Sequence, residues 1–141
     1  MKLTRRNLMA TGAAAIAATG FGAFPSLASL LDEEIAKFTD GAAAADGGSV
    51  SLTAPEIAEN GNTVPVEVVA PGAVAVALYA DGNPVPNVAT FKFGPLNANR
   101  SASTRIRLAR TQNVVAIAQM EDGSFQRTQA EVKVTIGGCG G

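Results

Sequence analysis

The feature that most constrains the fold is a regular succession of short β-prone runs in the last two-thirds of the chain. Seven such runs, separated by clusters of turn residues, occupy positions 50–53, 63–69, 74–79, 88–93, 103–108, 114–120 and 125–136. Seven short strands with a turn roughly every dozen residues are typical of an immunoglobulin-like sandwich. We therefore predict an all-β domain, an immunoglobulin-like β-sandwich of about seven strands, over residues 50–136.

The last run carries the clearest strand pattern. Its even-numbered positions from 130 to 136 are apolar and its odd-numbered positions from 129 to 135 are polar. Such alternation places one face in a core and the other in solvent. The chain has no Trp and one Cys, so the Cys…Trp…Cys arrangement of antibody domains is absent, although the architecture does not require it.

A short helix is predicted ahead of the sandwich. Four apolar residues recur at helical spacing in the stretch SLLDEEIAKF, namely Leu30, Leu31, Ile35 and Phe38, and Ser29 stands where an N-cap is expected. The following TDGAAAADGGS is typical of a small-residue linker. Residues 29–49 are accordingly predicted to be a short helix and a linker that separates it from the sandwich.

The first 28 residues have the composition of an export signal. Lys2, Arg5 and Arg6 precede an apolar stretch over positions 8–24, and small residues follow, with the expected cut after Ala28. The arginine pair is typical of the Tat pathway, with ordinary Sec export as the alternative. A membrane anchor is the other alternative, but the stretch is rich in Ala, Gly and Thr and short for a bilayer span. The expected location is the periplasm.

Charge and composition exclude several function classes. Without the leader the chain has 8 basic and 12 acidic residues, a net charge of −4, which argues against a nucleic-acid partner. The whole chain contains no His and a single Cys. Zinc and haem sites lose their usual ligands, and no acidic pair has the spacing of a metal site or a glycosidase dyad. We expect neither a cofactor nor a catalytic residue.

Arg105 and Arg107 are two positions apart in STRIRLAR and so fall on one face of a predicted strand. An anion site is one interpretation, because the guanidinium group matches oxyanions. The other is a solvated strand face lying across from acidic neighbours, which is what half-exposed strands ordinarily show. The second interpretation is favoured. Asn60-Gly61, in AENGN, is a turn signal that requires no chemistry.

The C-terminus holds the only thiol of the chain. Cys139 is flanked by Gly137 and Gly138 on one side and by Gly140 and Gly141 on the other. Glycines leave the backbone free and put no side chain beside the sulfur, so residues 137–141 are predicted to form a flexible arm. From Ile136 the extended reach to Cys139 is ~10 Å.

Nothing in the sequence near Cys139 activates its thiol. No cation is adjacent, and the terminal carboxylate two residues on disfavours the thiolate. In an oxidising compartment, a lone cysteine is either a reactive thiol or one half of an intermolecular bond. A thiol activated only in another protein's pocket behaves as a carrier rather than as a catalyst.

The terminal VTIGGCGG resembles the carrier motif of the SoxY family, the sulfur-carrier subunits of bacterial thiosulfate oxidation. The segments PEIAENGNTVPVEV, VATFKF, STRIRLA and VVAIAQMEDGSF are similar to that family's body. The resemblance implies that Cys139 is the covalent attachment site, holding S-thiosulfonate and persulfide forms in turn.

The resemblance also implies partners. A SoxZ-like subunit would form a heterodimer with the carrier, and its lack of an export signal would explain co-export by Tat. A haem c-type enzyme would couple thiosulfate to the thiol, and a di-metal hydrolase would release sulfate. In systems that have it, a molybdenum sulfane dehydrogenase would oxidise the remaining sulfur. Neither nucleic acid nor a membrane is an expected partner.

Two other functions remain open from the residues alone. One is a periplasmic binding or scaffold module whose terminal cysteine forms an intermolecular disulfide. The other is a cytosolic sulfur-transfer protein that activates a terminal Gly-Gly as a thiocarboxylate, which the leader and the lack of a central helix disfavour. The predicted leader and the single thiol favour the carrier.

Overall fold

The computed structural model describes residues 26–135 of the chain. In that range one helix precedes nine strands: α1 (Leu27–Thr39), β1 (Ala45–Asp46), β2 (Ser51–Thr53), β3 (Ile57–Ala58), β4 (Val64–Val69), β5 (Ala73–Ala80), β6 (Asn87–Lys92), β7 (Ser101–Ile106), β8 (Gln112–Met120) and β9 (Phe125–Val134). The seven strands predicted from the sequence are all present, with ends that differ by one or two residues. β1 and β3, each of two residues, are additional.

The strands form two sheets that pack face to face. The larger sheet has the order β1-β9-β8-β5-β6, with β3 also paired to β9, and the smaller has the order β2-β4-β7. The central strands of the larger sheet pair antiparallel, whereas β1 and β3 join β9 in parallel. This two-layer arrangement confirms the predicted immunoglobulin-like sandwich.

The core lies between the sheets and is built from the inward positions of each strand. β4 alternates strictly, with Val64, Val66 and Val68 buried and Pro65 and Glu67 exposed. β5 and β8 are buried on both faces instead, because α1 covers part of the outer face of the larger sheet. Branched aliphatic residues and alanine fill the interior, a composition suited to closely spaced sheets.

The helix packs on the outer face of the larger sheet. Leu31 is buried there against Tyr79 and the outward residues of β5 and β8. Phe38 meets Phe125 edge to face, with ring centroids 6.0 Å apart. Burial raises the pKa of Tyr79 from 10.0 to about 12. Its hydroxyl donates to the backbone carbonyl of Glu34, 3.4 Å away.

The segment between α1 and β2 is held against β9 rather than spacing the helix away. The amide of Gly47 donates to the carbonyl of Arg127 (2.9 Å), and that of Ser49 to Oε1 of Gln126 (3.0 Å). Gly48 has φ +91°, and a Cβ there would collide with the Gln126 side chain. The small residues predicted to be a spacer therefore let this segment lie close to the sheet.

The helix begins earlier than predicted. Its N-cap is Ser26, whose Oγ accepts from the amide of Ser29 at 3.3 Å, so the assignment of the cap to Ser29 is wrong for the chain as described. Of the predicted signal peptide, residues 1–25 lie outside the described range. Residues 26–28 form the cap and the first two positions of α1.

Within residues 26–135, no helix is long and apolar enough to cross a bilayer.

Candidate functional site: the root of the C-terminal segment

Cys139, the predicted attachment site, lies outside the described residues. The same is true of the glycines predicted to form its arm, which are Gly137, Gly138, Gly140 and Gly141. The last residue described is Thr135, which directly follows β9 and precedes Cys139 by four positions. The structure therefore describes the end of β9 and Thr135, the residues that precede the cysteine-bearing segment in the chain, and we call this part of the fold the root.

One side of this root is fixed by β3. Lys133 donates its amide proton to the carbonyl of Glu56 at 2.9 Å, and Thr135 donates its own to Ala58 at 3.1 Å. The Thr135 hydroxyl lies 3.2 Å from the carbonyl oxygen of Glu59 and 3.4 Å from that of Ala58. These bonds continue the parallel pairing of β3 and β9 to the last described residue.

The other side of the root is fixed by a side chain. The backbone pairing of β8 with β9 ends where Gln112 meets Val132. One residue earlier in the chain, Oγ1 of Thr111 accepts from the amide of Val134 at 2.9 Å. Thr111 thus substitutes for the next backbone partner, and the end of β9 is bonded on both edges.

The loop that carries Thr111 is braced by two buried amides. Asn83 donates from Nδ2 to the carbonyl of Arg107 (2.7 Å), and its Oδ1 accepts from the amide of Ala109 (2.9 Å). Gln112 donates from Nε2 to the same Oδ1 (2.9 Å) and accepts at Oε1 from Gly82 (2.8 Å). Buried amides bonded in this way resist displacement, because separation would leave polar groups unpaired.

The predicted turn at Asn60-Gly61 is confirmed and lies at the same end of the sandwich. Oδ1 of Asn60 accepts from the amide of Asn62 at 2.9 Å, which is the geometry of an Asx turn. The carbonyl of Gly61 accepts from Leu108 at 2.8 Å and joins this turn to the loop after β7.

Arg105 lies on β7 and Arg107 directly follows this strand. Both side chains are exposed. Arg105 faces an open groove of about 560 Å³, whose walls include Pro55, Pro65 and Glu67. Pro65, not an acidic residue, lies directly across from Arg105, and Glu67 pairs with Ser103 two positions along. The exposure of both arginines agrees with the favoured interpretation of a solvated strand face, whereas an acidic residue directly across from Arg105 is not found.

Among residues 26–135, no group of three or more His, Cys, Asp and Glu side chains is placed to hold a metal ion.

Sequence reasoning missed Thr111, Asn83 and Gln112. Asn83 bonds residues 24 to 29 positions away in the chain, so no local pattern marks it. The Thr-Gln pair lies in a turn cluster, where polar residues are ordinary.

Comparison with known proteins agrees with this description. The family model for the sulfur oxidation protein SoxY matches residues 35–139, a span that ends on the single cysteine. The structure of the sulfur carrier protein SoxY from Chlorobium limicola f thiosulfatophilum is 37% identical, with 77% of this chain and 94% of that chain covered and a TM-score of 0.69.

More distant structures share the fold alone. A superoxide reductase (neelaredoxin) from Ignicoccus hospitalis is 20% identical, over 62% of this chain and 80% of that one, with a TM-score of 0.54. A crystal structure of a putative superoxide reductase from Thermotoga maritima is 15% identical, over 69% and 89%, with a TM-score of 0.51. No curated protein sequence matches the chain significantly.

The family match covers most of the chain and includes the root and Cys139. The SoxY structure supports it at an identity well above that of the proteins that share only the sandwich. This chain belongs to the SoxY family of sulfur carrier proteins.

Proposed function

We propose that the protein is a periplasmic covalent sulfur carrier in thiosulfate oxidation, in which Cys139 holds the intermediates and presents them to partner enzymes. The observation that carries the proposal is the SoxY match, because it extends to residue 139, where the only thiol of the chain stands. A carrier of covalent sulfur needs a thiolate to form the S–S bond, and Cys139 is the only thiol in the sequence.

The first step of the proposed cycle is an oxidation. The Cys139 thiolate and the outer sulfur of thiosulfate form an S–S bond, giving a cysteine S-thiosulfonate. The electron pair released passes to the haem c-type enzyme. Water then attacks the sulfonate sulfur in the di-metal hydrolase, the S–S bond to that sulfur breaks, and sulfate leaves with protons released to solvent. The outer sulfur stays on Cys139 as a persulfide.

A molybdenum sulfane dehydrogenase, where one operates, would oxidise this sulfur to a sulfonate that stays bonded to Cys139. Three water molecules would supply the oxygen atoms, six protons would go to solvent, and six electrons would pass through that enzyme to its electron acceptor. A second hydrolysis would release sulfate and return the thiol.

The folded body of the carrier contributes placement rather than chemistry. The groups that hold Val134 and Thr135 are the Thr111 hydroxyl and backbone carbonyls, respectively, and these neither bind metal strongly nor transfer protons near neutral pH. The span from Thr135 to Cys139 is ~14 Å when fully extended. The thiol would enter an enzyme's active site, where that enzyme supplies the activating groups.

Export as a folded protein belongs to the same proposal. The twin-arginine leader would carry the domain through the Tat pathway together with a SoxZ-like subunit. Removal of residues 1–28 would delete Ser26 and move the start of α1 to Ser29. Asp32 and Glu33 would then fall within or next to the first turn, where carboxylates favour the helix dipole.

Replacement of the thiol tests the proposal. Cells that express Cys139→Ser should lose thiosulfate-dependent oxygen uptake. Purified Cys139→Ser should unfold at the same temperature as the wild type, since residue 139 comes five positions after the end of β9 and is not part of the described core. Oxygen uptake at the wild-type rate by the variant would refute the carrier role. A stable disulfide dimer of the wild type in every growth condition would instead indicate the scaffold alternative.

A further inference from the structure

The short span between Thr135 and Cys139 limits where an enzyme can stand when it receives the sulfur. Thr135 is bonded to the β3 segment and Val134, one residue earlier, to Thr111, so the position of Thr135 on the body is well defined. Because the sulfur-bearing residue can move no more than ~14 Å from that point, an enzyme that encloses the thiol must bring the rim of its active site against the body around Thr135.

The body around Thr135 is an exposed surface on one face of the larger sheet. Ile57 pairs in register with Lys133, and their neighbours Ala58 and Val134 point inward. Strand alternation therefore places Ile57, Glu59, Lys133 and Thr135 together on the outward face. We call these four residues the collar.

Ile57 is the apolar centre of the collar. The residue is 59% exposed. One strand spacing and a rise of two residues separate its Cα from that of Thr135 by about 8 Å. Isolated exposed aliphatic side chains are common on protein surfaces and need no explanation. Ile57 differs from such residues because it lies within reach of the segment that carries Cys139, where an enzyme that encloses the thiol must contact the body.

We propose that the collar is the docking surface for the enzymes that act on Cys139, with Ile57 as its apolar anchor. The inference rests on the proposed function, since it assumes that the sulfur on Cys139 is processed inside other proteins. The occupant is the rim of an active-site cleft that offers an apolar patch to Ile57 and polar groups of both signs to Glu59 and Lys133. A small apolar centre within a charged ring is the anatomy of a transient interface.

The sandwich offers a matched control at its other end. Leu96 is 98% exposed, in the connection between β6 and β7. Nη2 of Arg100, in the same connection, lies 3.3 Å from Oε1 of Glu121, just before β9 begins. Since β9 has 10 residues, this connection lies ~30 Å from Thr135. Leu96→Asp thus repeats the chemical change of Ile57→Asp far from the collar.

The test is the steady-state loading of the purified carrier, together with its partner subunit, by the cognate haem c-type enzyme with thiosulfate. We expect Ile57→Asp to raise the KM for the carrier about tenfold, as loss of an interface anchor does, with kcat nearly unchanged. Leu96→Asp and the conservative Ile57→Val should keep the wild-type KM. The rate at which N-ethylmaleimide modifies Cys139 should be equal in all four proteins.

Three outcomes would overturn the inference. The first is an unchanged KM for Ile57→Asp. The second is dissociation of the partner subunit by Ile57→Asp in analytical ultracentrifugation, which would assign the surface to the subunit contact. The third is a wild type that takes up no sulfur on Cys139, and this result alone also rejects the proposed function. If Ile57→Asp fails to fold, Ile57→Ser replaces it under the same criteria.

Discussion

The hydroxyl of Thr135 donates to the backbone carbonyl of Glu59 across 3.2 Å, four positions before the only cysteine of the chain. A residue after the end of a strand usually has few fixed partners. Here the side chain bonds the segment that follows β3, so the attachment of β9 to its neighbour continues to Thr135. This hydrogen bond helps to fix the residue from which the chain continues toward Cys139.

Thr135→Val should weaken this attachment without changing the shape of the side chain. The hydroxyl bonds are partly exposed to solvent, so we expect the free energy of unfolding to fall by about 0.5–1 kcal/mol. Urea denaturation measures the change, and hydrogen exchange should show faster exchange of the Lys133 and Thr135 amides. Thr135→Ser, which keeps the donor, is the control. Wild-type exchange rates in the valine variant would show that the hydroxyl does not hold the root.

Asn83→Ala should destabilise the loop that carries Thr111. The truncation leaves the carbonyl of Arg107 and the amide of Ala109 without their partner in a buried site, which costs about 1–3 kcal/mol. Asn97→Ala is the matched control, since Asn97 bonds Arg100 in a more exposed turn, and there we expect less than about 1 kcal/mol. Chemical denaturation compares the two. Equal losses would argue against a special role for the buried network.

Leu31→Ala tests whether the helix is an integral part of the domain. Leu31 is buried between α1 and the larger sheet, and its truncation should cost about 2–3 kcal/mol. Tyr79 is the only tyrosine of a chain without tryptophan, so its fluorescence reports on this contact directly.

Leu30→Ala, at a half-exposed neighbour, should cost under about 1 kcal/mol and leave the fluorescence unchanged. A helix that only tethers the domain would make the two variants equivalent.

The pKa of Tyr79 predicts an alkaline limit to stability. Burial raises the pKa of this phenol to about 12 in the folded protein, from 10.0. The folded state therefore holds its proton more tightly than the unfolded chain does. Its contribution to stability is complete below pH 10 and is lost as the pH rises from 10 to 12. A near-ultraviolet absorbance titration should give a midpoint near 12 in buffer and near 10 in urea. Coincident midpoints would contradict the burial.

The seven longer strands could be predicted because each carries its own signal. Val64, Val66 and Val68 alternate with polar or exposed positions, and turn residues flank every run, so local pattern alone defines them. The two-residue strands β1 and β3 carry no period, and only their pairing with β9 makes them strands. Because that pairing depends on residues far away in the sequence, the two residues alone do not indicate a strand.

In the helix and the root, too, local sequence patterns mark some features, whereas others depend on residues far apart in the chain. The apolar stripe of Leu31, Ile35 and Phe38 predicts a helix, and such a stripe must be buried against another surface. The small-residue composition after the helix indicates a spacer instead, and it does not predict the packing of the helix on the sheet. Cys139 could be singled out because it is the only thiol and has glycines on both sides. Thr111 and Asn83 could not, because their bonds join positions more than twenty residues apart.

The most direct test of the carrier role is mass spectrometry of the C-terminal peptide from periplasmic protein of cells grown on thiosulfate. We predict that Cys139 carries S-thiosulfonate or persulfide adducts, that these vanish when thiosulfate is withheld, and that Cys139→Ser never acquires them. A peptide whose thiol stays unmodified throughout growth on thiosulfate, or is found only as a disulfide, would contradict it.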